Sequence, residues 1–329
     1  MKLLVLSNNP DRASFRQRIE IYLDYLRAEG INSTVCRYPT SPLTRWRLLQ
    51  SSRDFDAVFL HKKRLNSLDA FLLRRCARKV IYDFDDAIMY DDNRPDKSSP
   101  KRLRDFRRTV GLADRVIAGN EYLAEHAQKF NPNVSILPTG LDPASYKVKT
   151  EPNNDGKIRL VWIGSKTTLP YLEEIKPALE KIGSSIGNLV LRIICDEFFD
   201  LRNMEVEKCL WTSQTEIDDL VSSDIGLAPL PDNRFTRGKC GFKILQYAAA
   251  GLPIVASPVG VNAELVQDGV NGFHAEILED WIEKISALVI NESTRIQMGR
   301  EARKMVRPFD LASIGPRLVS LVRSVIESV

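Results

Sequence analysis

The sequence predicts an α/β protein of two domains, each a parallel sheet covered by helices. Short apolar segments alternate with amphipathic helical stretches along the chain, which is the pattern of β–α–β units. A polar segment with proline and glycine, 147–157, interrupts this pattern, and the pattern then starts again. The chain has 329 residues, enough for two domains of ordinary size. We therefore place a first domain at 1–150 and a second at 151–308.

The first domain contains six candidate strands. Apolar residues at helical spacing, among them Ile19, Leu23 and Leu26, predict a helix over about 14–29, which Gly30 ends. The strand segments are 2–7, 33–38, 57–61, 79–84, 115–119 and 134–138. Ligands of open parallel sheets bind beyond the carboxyl ends of the strands, so the residues that follow these segments are the first candidates for a site.

The second domain repeats the pattern. A helix is predicted over about 170–186, and the strand segments are 158–164, 189–195, 224–230 and 253–259. The stretch 309–329 is amphipathic, which predicts a helix. This helix packs either on the second domain or back on the first domain.

Composition excludes several classes of protein. The five cysteines are odd in number and form no CxxC pair, which indicates a reduced, cytoplasmic protein. Three histidines and scattered cysteines predict no metal site. No apolar run reaches the length of a membrane span, and the N-terminal segment MKLLVLSNNP is typical of a strand and loop, not of a targeting signal.

Charge is divided unevenly between the two domains. Residues 1–150 carry 27 Lys+Arg and 18 Asp+Glu, whereas the remaining residues are net acidic. Two basic clusters lie at 74–79 and 101–108. They are either solvated helix faces or a surface that meets an anionic partner, such as a membrane surface, a lipid phosphate or a charged glycan. No nucleic-acid-binding motif accompanies them.

The densest chemical signal is the segment 234–253. Gly238 and Gly241 predict a tight loop, and a helix follows over 242–250. Free N–H groups at the start of such a helix favour an anion. The alternative is an ordinary surface helix.

Three polar residues of this segment, Lys239, Lys243 and Gln246, have the spacing i, i+4 and i+7. This spacing predicts that they share one face, opposite the apolar residues Leu245 and Ala249. Two cations and an amide beside a helix N-terminus suit a diphosphate with an attached ribose.

The segment GKCGFKILQYAAAGLPIVASPVGVNAELVQDGVNG, 238–272, resembles the donor-binding region of glycosyltransferase family 4, the retaining GT-B enzymes. ADRVIAGNEYLAEH, ILPTGLDPASY and VWIGSKTTLPYL resemble other parts of the same family, so the resemblance extends over nearly the whole chain. It implies two Rossmann-like domains whose parallel sheets face each other across a cleft, with a nucleoside diphosphate sugar bound by the second domain.

The sequence departs from the family pattern at two positions. The family's first acidic residue is replaced by Gly238, and its second by Gln246, whose amide could still bond a ribose diol. Lys166 is the cation of the loop after the strand at 158–164, where family members hold the diphosphate. The residues predicted to contact the donor are Gly164, Ser165, Lys166, Arg234, Gly238, Lys239, Cys240, Gly241, Phe242, Lys243 and Gln246.

The first domain supplies the predicted acceptor side. VIYDFDDAIMYDD is crowded with acids, but the resemblance argues against a metal ion there and assigns Asp85 to the reacting sugar or the acceptor, with Asp86 as a structural partner. Capping and loop roles are the alternative. His61 ends a strand, and Asn9 and Arg16 follow the first strand, so we add these three to the acceptor side.

The resemblance implies a retaining, metal-independent hexosyltransferase that requires no cofactor beyond its sugar-nucleotide donor. The predicted catalytic residues are Asp85, Lys239 and Lys243. The acceptor is expected to be a glycan or lipid-linked molecule of cell-surface polysaccharide or glycolipid synthesis, with the protein in the cytoplasm or peripheral at the inner membrane face. The alternatives are a sugar-nucleotide epimerase on the same fold and a degenerate protein that only binds the nucleotide sugar.

Overall fold

The computed structural model describes residues 1–149, 153 and 155–328. The predicted domain boundary at 150/151 and part of the predicted linker lie outside these residues. The described chain forms two compact units. The first unit combines Met1–Gly140, Asn233–Cys240 and the residues from Leu311 onward, and the second combines Leu141–Asp232 and Gly241–Asp310.

The described residues contain twelve strands, in two parallel sheets of six. In chain order they are β1 (Lys2–Ser7), β2 (Asn32–Arg37), β3 (Ala57–His61), β4 (Val80–Phe84), β5 (Arg115–Ala118), β6 (Val134–Ile136), β7 (Ile158–Ile163), β8 (Leu189–Cys195), β9 (Glu205–Leu210), β10 (Ile225–Ala228), β11 (Ile254–Ala256) and β12 (Gly272–His274). All ten predicted strands are present, with small differences at their ends. β9 and β12 were not predicted.

The helices are α1 (Ala13–Arg18), α2 (Leu23–Ala28), α3 (Pro42–Ser51), α4 (Ser67–Cys76), α5 (Pro100–Leu112), α6 (Glu121–Gln128), α7 (Leu169–Glu173), α8 (Lys176–Gly183), α9 (Glu216–Val221), α10 (Phe242–Ala249), α11 (Val261–Leu265), α12 (Leu278–Ile290), α13 (Glu292–Met305) and α14 (Leu311–Glu327). The helix predicted over 14–29 is wrong as a single element, because the backbone leaves helical geometry at Ile19. The helix predicted over 170–186 is also divided, and Pro177, which lacks an N–H group, lies in the first turn of α8.

The first sheet has the strand order β2-β1-β3-β4-β5-β6, with helices on both faces. Helices α3 to α6 cover one face, where Phe106 and Leu123 pack against Tyr82 and Phe84. On the other face α1, α2 and α14 cover residues such as Phe59. The helix predicted over 309–329 therefore packs on the first sheet.

The second sheet has the order β12-β11-β10-β7-β8-β9. Helices α7, α8 and α12 pack on one face, and α9, α10 and α13 on the other. In each sheet, strands that are consecutive in sequence are added first toward one edge and then toward the other. The strand order reverses between β1 and β3 in the first sheet and between β7 and β10 in the second. Such a switch point leaves a crevice beyond the carboxyl ends of the two strands, where doubly wound proteins bind ligands.

Candidate functional site

The carboxyl ends of β3 and β4 bring a lysine and two acids together in the first unit. Lys62 follows β3, and its Nζ lies 2.6 Å from Oδ1 of Asp85 and 2.7 Å from Oδ2 of Asp86. The two acids follow β4, the neighbouring strand, so the register of the parallel pair places the three side chains at one edge. Lys62 is also the only described non-glycine residue with a positive φ, 53°. A strained backbone that is kept at a strand end is typical of a functional position.

Asp86 is shared between two lysines. Its Oδ1 lies 3.0 Å from Nζ of Lys239, whereas Lys62 contacts the other oxygen, Oδ2. Burial alone would raise the pKa of Asp86, but Lys239 and Lys62 hold it well below its ordinary value. For Lys62, burial alone would lower the pKa, but Asp85 and Asp86 raise it above its ordinary value. Asp86 and Lys62 are therefore both charged at neutral pH.

The segment Asn233–Cys240 is bound to the first unit along its length. The side-chain amide of Asn120 donates to the carbonyls of Gly238 and Lys239, at 3.3 and 3.0 Å. Tyr122 donates to the carbonyl of Arg234, and the Arg234 guanidinium donates to the carbonyl of Pro95. The predicted donor ligands Arg234, Gly238, Lys239 and Cys240, placed in the second domain by the sequence analysis, thus have their neighbours in the first unit.

Gly238 stands where the sequence resemblance leads us to expect an acid, and the packing around it explains why a glycine is present. A Cβ there would stand 2.6 Å from Cβ of Ala87 and 3.0 Å from its backbone nitrogen. Cys240 lies close by, with its Sγ 3.3 Å from the carbonyl oxygen of Asp85. Burial raises the pKa of the Cys240 thiol, with a further contribution from Asp85, so the thiol is protonated and packs as a small apolar group.

His61 lies at the switch point of the first sheet. Its Nδ1 is 3.2 Å from Oγ of Ser7, the last residue of β1, and its Nε2 is buried without a hydrogen-bond partner among the described residues. Burial, together with the charges of Lys62 and Arg18, lowers the pKa of His61 well below 6.5. The ring is therefore neutral, and its buried Nε2 makes no hydrogen bond with the described residues.

Three further polar residues surround this edge. Asn9 lies in the loop after β1, where its carboxamide oxygen accepts from the N–H of Asp11, and Arg16 is half-buried on α1. Arg18, which the sequence does not distinguish from a surface residue, is buried and forms an ion pair of 2.8 Å with Asp83. Burial raises the pKa of Asp83 although Arg18 opposes the shift.

The second unit carries its candidate residues at the switch point between β7 and β10. Gly164 follows β7, and a Cβ there would stand 2.3 Å from the Trp162 ring. In the loop that follows, Oγ of Ser165 lies 2.9 Å from the hydroxyl of Thr167, and the N–H of Lys166 donates to Asp196. The Lys166 ammonium is exposed, 3.6 Å from Glu197.

Helix α10 begins beside this loop. Gly241 precedes it with φ 65°, and a Cβ at Gly241 would stand 2.6 Å from a methyl group of Leu265. Gly241, at the N-cap position, has no side chain that could cap the first turn. Phe242 is partly buried, and Lys243 in that turn places its Nζ 4.1 Å from the centre of the Trp162 ring. Trp162 thus joins the Gly164 loop to the first turn of α10.

One part of the predicted constellation is wrong. Lys239 does not share a helix face with Lys243 and Gln246, because the left-handed backbone at Gly241 delays the start of the helix to Phe242. Gln246 is within the helix but almost fully buried, at 3% exposure. Sequence reasoning missed Lys62 and Trp162. Lys62 could have been found as the residue after β3, beside the acids that follow β4.

The part of the chain that the structure describes contains no group of three metal-ligating side chains suited to a metal ion. It also contains no helix that is long and apolar enough to cross a membrane.

Residues 143–291 match the sequence model of the family described as glycosyl transferases group 1. No curated protein matches the chain in sequence. Among solved structures, HepE from Anabaena, in complex with UDP and glucose, is similar with a TM-score of 0.70 at 16% identity, over 98% of this chain and 100% of that one.

Two more solved structures have the same fold. Sucrose-phosphate synthase from Thermosynechococcus elongatus has a TM-score of 0.73 at 11% identity, over 98% of both chains. A glycosyltransferase from Rickettsia africae has a TM-score of 0.70 at 14% identity, over 100% of this chain and 99% of that one. The predicted fold, two Rossmann-like units of the GT-B glycosyltransferase type, is confirmed.

Proposed function

We propose that the protein is a glycosyltransferase that moves a sugar from a nucleoside diphosphate sugar to the hydroxyl of an acceptor. The observation that carries the proposal is the switch point between β7 and β10. The Gly164 loop and the first turn of α10 both contact Trp162 there, within the stretch that matches the group 1 family. A glycine loop beside a helix N-terminus is the arrangement that binds phosphate groups.

The donor is the first point to define. HepE was solved with UDP, and a related structure of the same protein with UDP-glucose. Uridine nucleotides are therefore the first candidates for this chain, ahead of guanosine and thymidine nucleotides.

The second unit supplies the charge for the leaving diphosphate. In this proposal Lys243 and the N–H groups of the first turn of α10 stabilise a phosphate oxygen, and the hydroxyls and ammonium of 165–167 lie in the loop beside them. Lys239 is bound to Asp86, and we give it a positioning role. We assign the diphosphate chiefly to Lys243 because it lies in the first turn of α10.

The acceptor side is proposed at the edge of the first sheet. Asp85, Asp86, His61, Asn9 and Arg16 lie around this edge, and the neutral His61 nitrogen is a candidate acceptor for a hydroxyl group. We propose a glycan or lipid-linked acceptor, in cell-surface polysaccharide or glycolipid synthesis.

Retention of configuration and independence from metal ions complete the proposal. Asp85 and Asp86, the acids that a metal or a covalent mechanism would use, are held by Lys62 at 2.6 and 2.7 Å. A carboxylate held in this way favours front-side attack assisted by the leaving phosphate over double displacement.

The first test measures nucleotide binding by the full chain. We expect UDP to bind, and Lys243→Met to weaken binding about ten- to a hundredfold, because a charge-assisted contact contributes roughly 1.5–3 kcal/mol. Isothermal titration calorimetry measures the change. Lys181→Met, the same replacement on the exposed end of α8, is the control and should bind like the wild type. No binding of UDP, GDP or dTDP would overturn the proposed function, and normal binding by Lys243→Met would move the phosphate site elsewhere.

The second test examines the reaction and its metal requirement. UDP-glucose incubated alone should not be converted to another UDP-sugar, which separates a transferase from an epimerase. Release of UDP in the presence of glycan acceptors should be unchanged by EDTA, because Lys243 and the helix start supply the positive charge. Loss of turnover with EDTA and its recovery with Mg²⁺ would refute metal independence.

A further inference from the structure

Large apolar side chains are exposed on two neighbouring helices of the first unit. On α3, Leu43 and Trp46 are 57% and 43% exposed, and on α4, Leu68 and Phe71 are 63% and 64% exposed. Isolated exposed apolar residues are ordinary, but four of this size on packed helices form a patch that needs an explanation.

The patch lies on the outer side of the helix layer. Helices α3 and α4 cover the same face of the first sheet and turn Leu49 and Leu73 toward the core. Leu43, Trp46 and Arg47 follow at helical spacing on α3, and Leu68, Phe71 and Arg75 do so on α4. Each helix thus presents two apolar side chains and one arginine on the side away from the sheet.

The exposed charged side chains named around the patch are all positive. Arg47, Arg75, Arg104 and Arg107 are all exposed on α3, α4 and α5, and no ion pair to any of them occurs among the described residues. We call these four arginines and the four apolar residues the α3–α5 surface.

The acids of the three helices do not offset this charge. Asp69 is buried and paired with Arg45 at 2.9 Å. Asp105 is paired with Arg108 at 2.7 Å. Helix α3 carries no acid at all. The exposed surface is therefore cationic wherever it is not apolar.

We propose that the α3–α5 surface docks on an anionic lipid bilayer. Aliphatic and aromatic side chains insert at the boundary between headgroups and acyl chains, and arginines beside them bind lipid phosphates while their stems stay in apolar surroundings. An acidic protein would satisfy the arginines but offers no reason for four exposed apolar side chains between them. Lipid docking is independent of the proposed reaction and brings the acceptor-side unit to a membrane.

The experiment uses the full chain and vesicles without any nucleotide. Flotation compares vesicles of phosphatidylcholine alone with vesicles that contain about one third phosphatidylglycerol. We expect binding only to the anionic vesicles, weakened by salt. Arg75→Glu/Arg104→Glu should reduce the binding constant at least about twentyfold, since each basic residue contributes roughly fivefold near an anionic surface.

The apolar part is tested separately. Trp46→Ser/Phe71→Ser should lose at least about tenfold in binding to the same vesicles. The emission of Trp46, the most exposed of the four tryptophans, should shift to the blue when the wild type binds.

Matched controls lie on the second unit. Ile290→Ser/Ile296→Ser removes two exposed apolar side chains, and Lys181→Glu/Arg300→Glu reverses two exposed charges, so both should bind like the wild type. Wild-type chain that does not float with anionic vesicles, or surface variants that float as well as the wild type, would overturn the proposal. A self-association that Trp46→Ser/Phe71→Ser abolishes, without vesicle binding, would assign the surface to a second copy of the chain and overturn it equally.

Discussion

The hydroxyl group of Tyr247 bridges two strands of the second sheet, and its removal should destabilise that unit. The hydroxyl accepts from the N–H of Ile163 at 3.1 Å and donates to the carbonyl of Leu227 at 3.0 Å. These residues belong to β7 and β10, which are paired over only two residue pairs before they separate at the switch point. The Tyr247 ring fills the gap, and a Cβ at Gly226 would stand 2.5 Å from it.

The magnitude follows from the two bonds. Tyr247→Phe removes both, each contributing about 0.5–1.5 kcal/mol, and leaves the buried N–H of Ile163 without a partner, which raises the cost. We expect a loss of about 2–4 kcal/mol in the free energy of unfolding of the second unit. Urea denaturation measures it through tryptophan fluorescence, because Trp162, Trp211 and Trp281 all belong to this unit.

Tyr82→Phe is the matched control. Tyr82 is also fully buried, but its hydroxyl has no hydrogen-bond partner among the described residues. Its removal should therefore be neutral or slightly stabilising, as followed by circular dichroism, since no bond is lost and a buried polar group disappears. A Tyr247→Phe variant that is as stable as Tyr82→Phe would refute the argument that the hydroxyl bridge holds β7 and β10.

Two other predictions concern the first unit. The pKa of His61 lies well below 6.5, so the unfolded chain binds more protons below that pH; stability should be complete above about 6.5 and fall as the pH drops toward 5. His61→Gln should flatten this part of the profile of urea midpoint against pH, and an unchanged slope would contradict the assignment. Gly238→Asp restores the acid of the family pattern, yet it should lower stability by about 1–3 kcal/mol because Ala87 occupies the space for its Cβ. Gly187→Asp, where a Cβ meets nothing within 4 Å, should be neutral in the same thermal melts, and an equal loss in both variants would refute the steric argument.

The strands were predictable where their side chains are buried on one or both faces of the sheet, because burial leaves a pattern of apolar residues in the sequence. All seven residues of β8, LVLRIIC, are buried, and such a nearly continuous apolar segment is typical of a strand in a parallel sheet. β9 was missed because EVEKCL alternates charged residues at an exposed sheet edge, and β12 because its three residues, GFH, include only one large apolar side chain. The predicted helices failed where the backbone leaves helical geometry at Ile19, and where Pro177 begins a new helix, although the apolar pattern continues.

The candidate site was predictable only where residues close in sequence stay close in space. The start of the helix at Gly241–Lys243 was predictable because glycines in the preceding residues indicate a tight loop before a helix. Lys239 was misplaced because residue spacing implies a shared face only within one continuous helix, and the left-handed Gly241 ends that continuity. Lys62 and Arg18 pair with acids in or just after β4, which are distant from them in sequence, so only the order of the strands in the sheet brings these partners together.

The three-segment makeup of the first unit has a consequence for synthesis on the ribosome. The face of the first sheet that carries Phe59 is covered in part by Ile314, Leu318 and Val322 of α14. All six strands of that sheet leave the ribosome well before this helix, so the nascent sheet must keep an apolar face accessible while the whole second unit is being made. A message truncated ahead of α14 would therefore yield a chain whose first sheet stays open and prone to aggregation, even though every strand of both sheets is present.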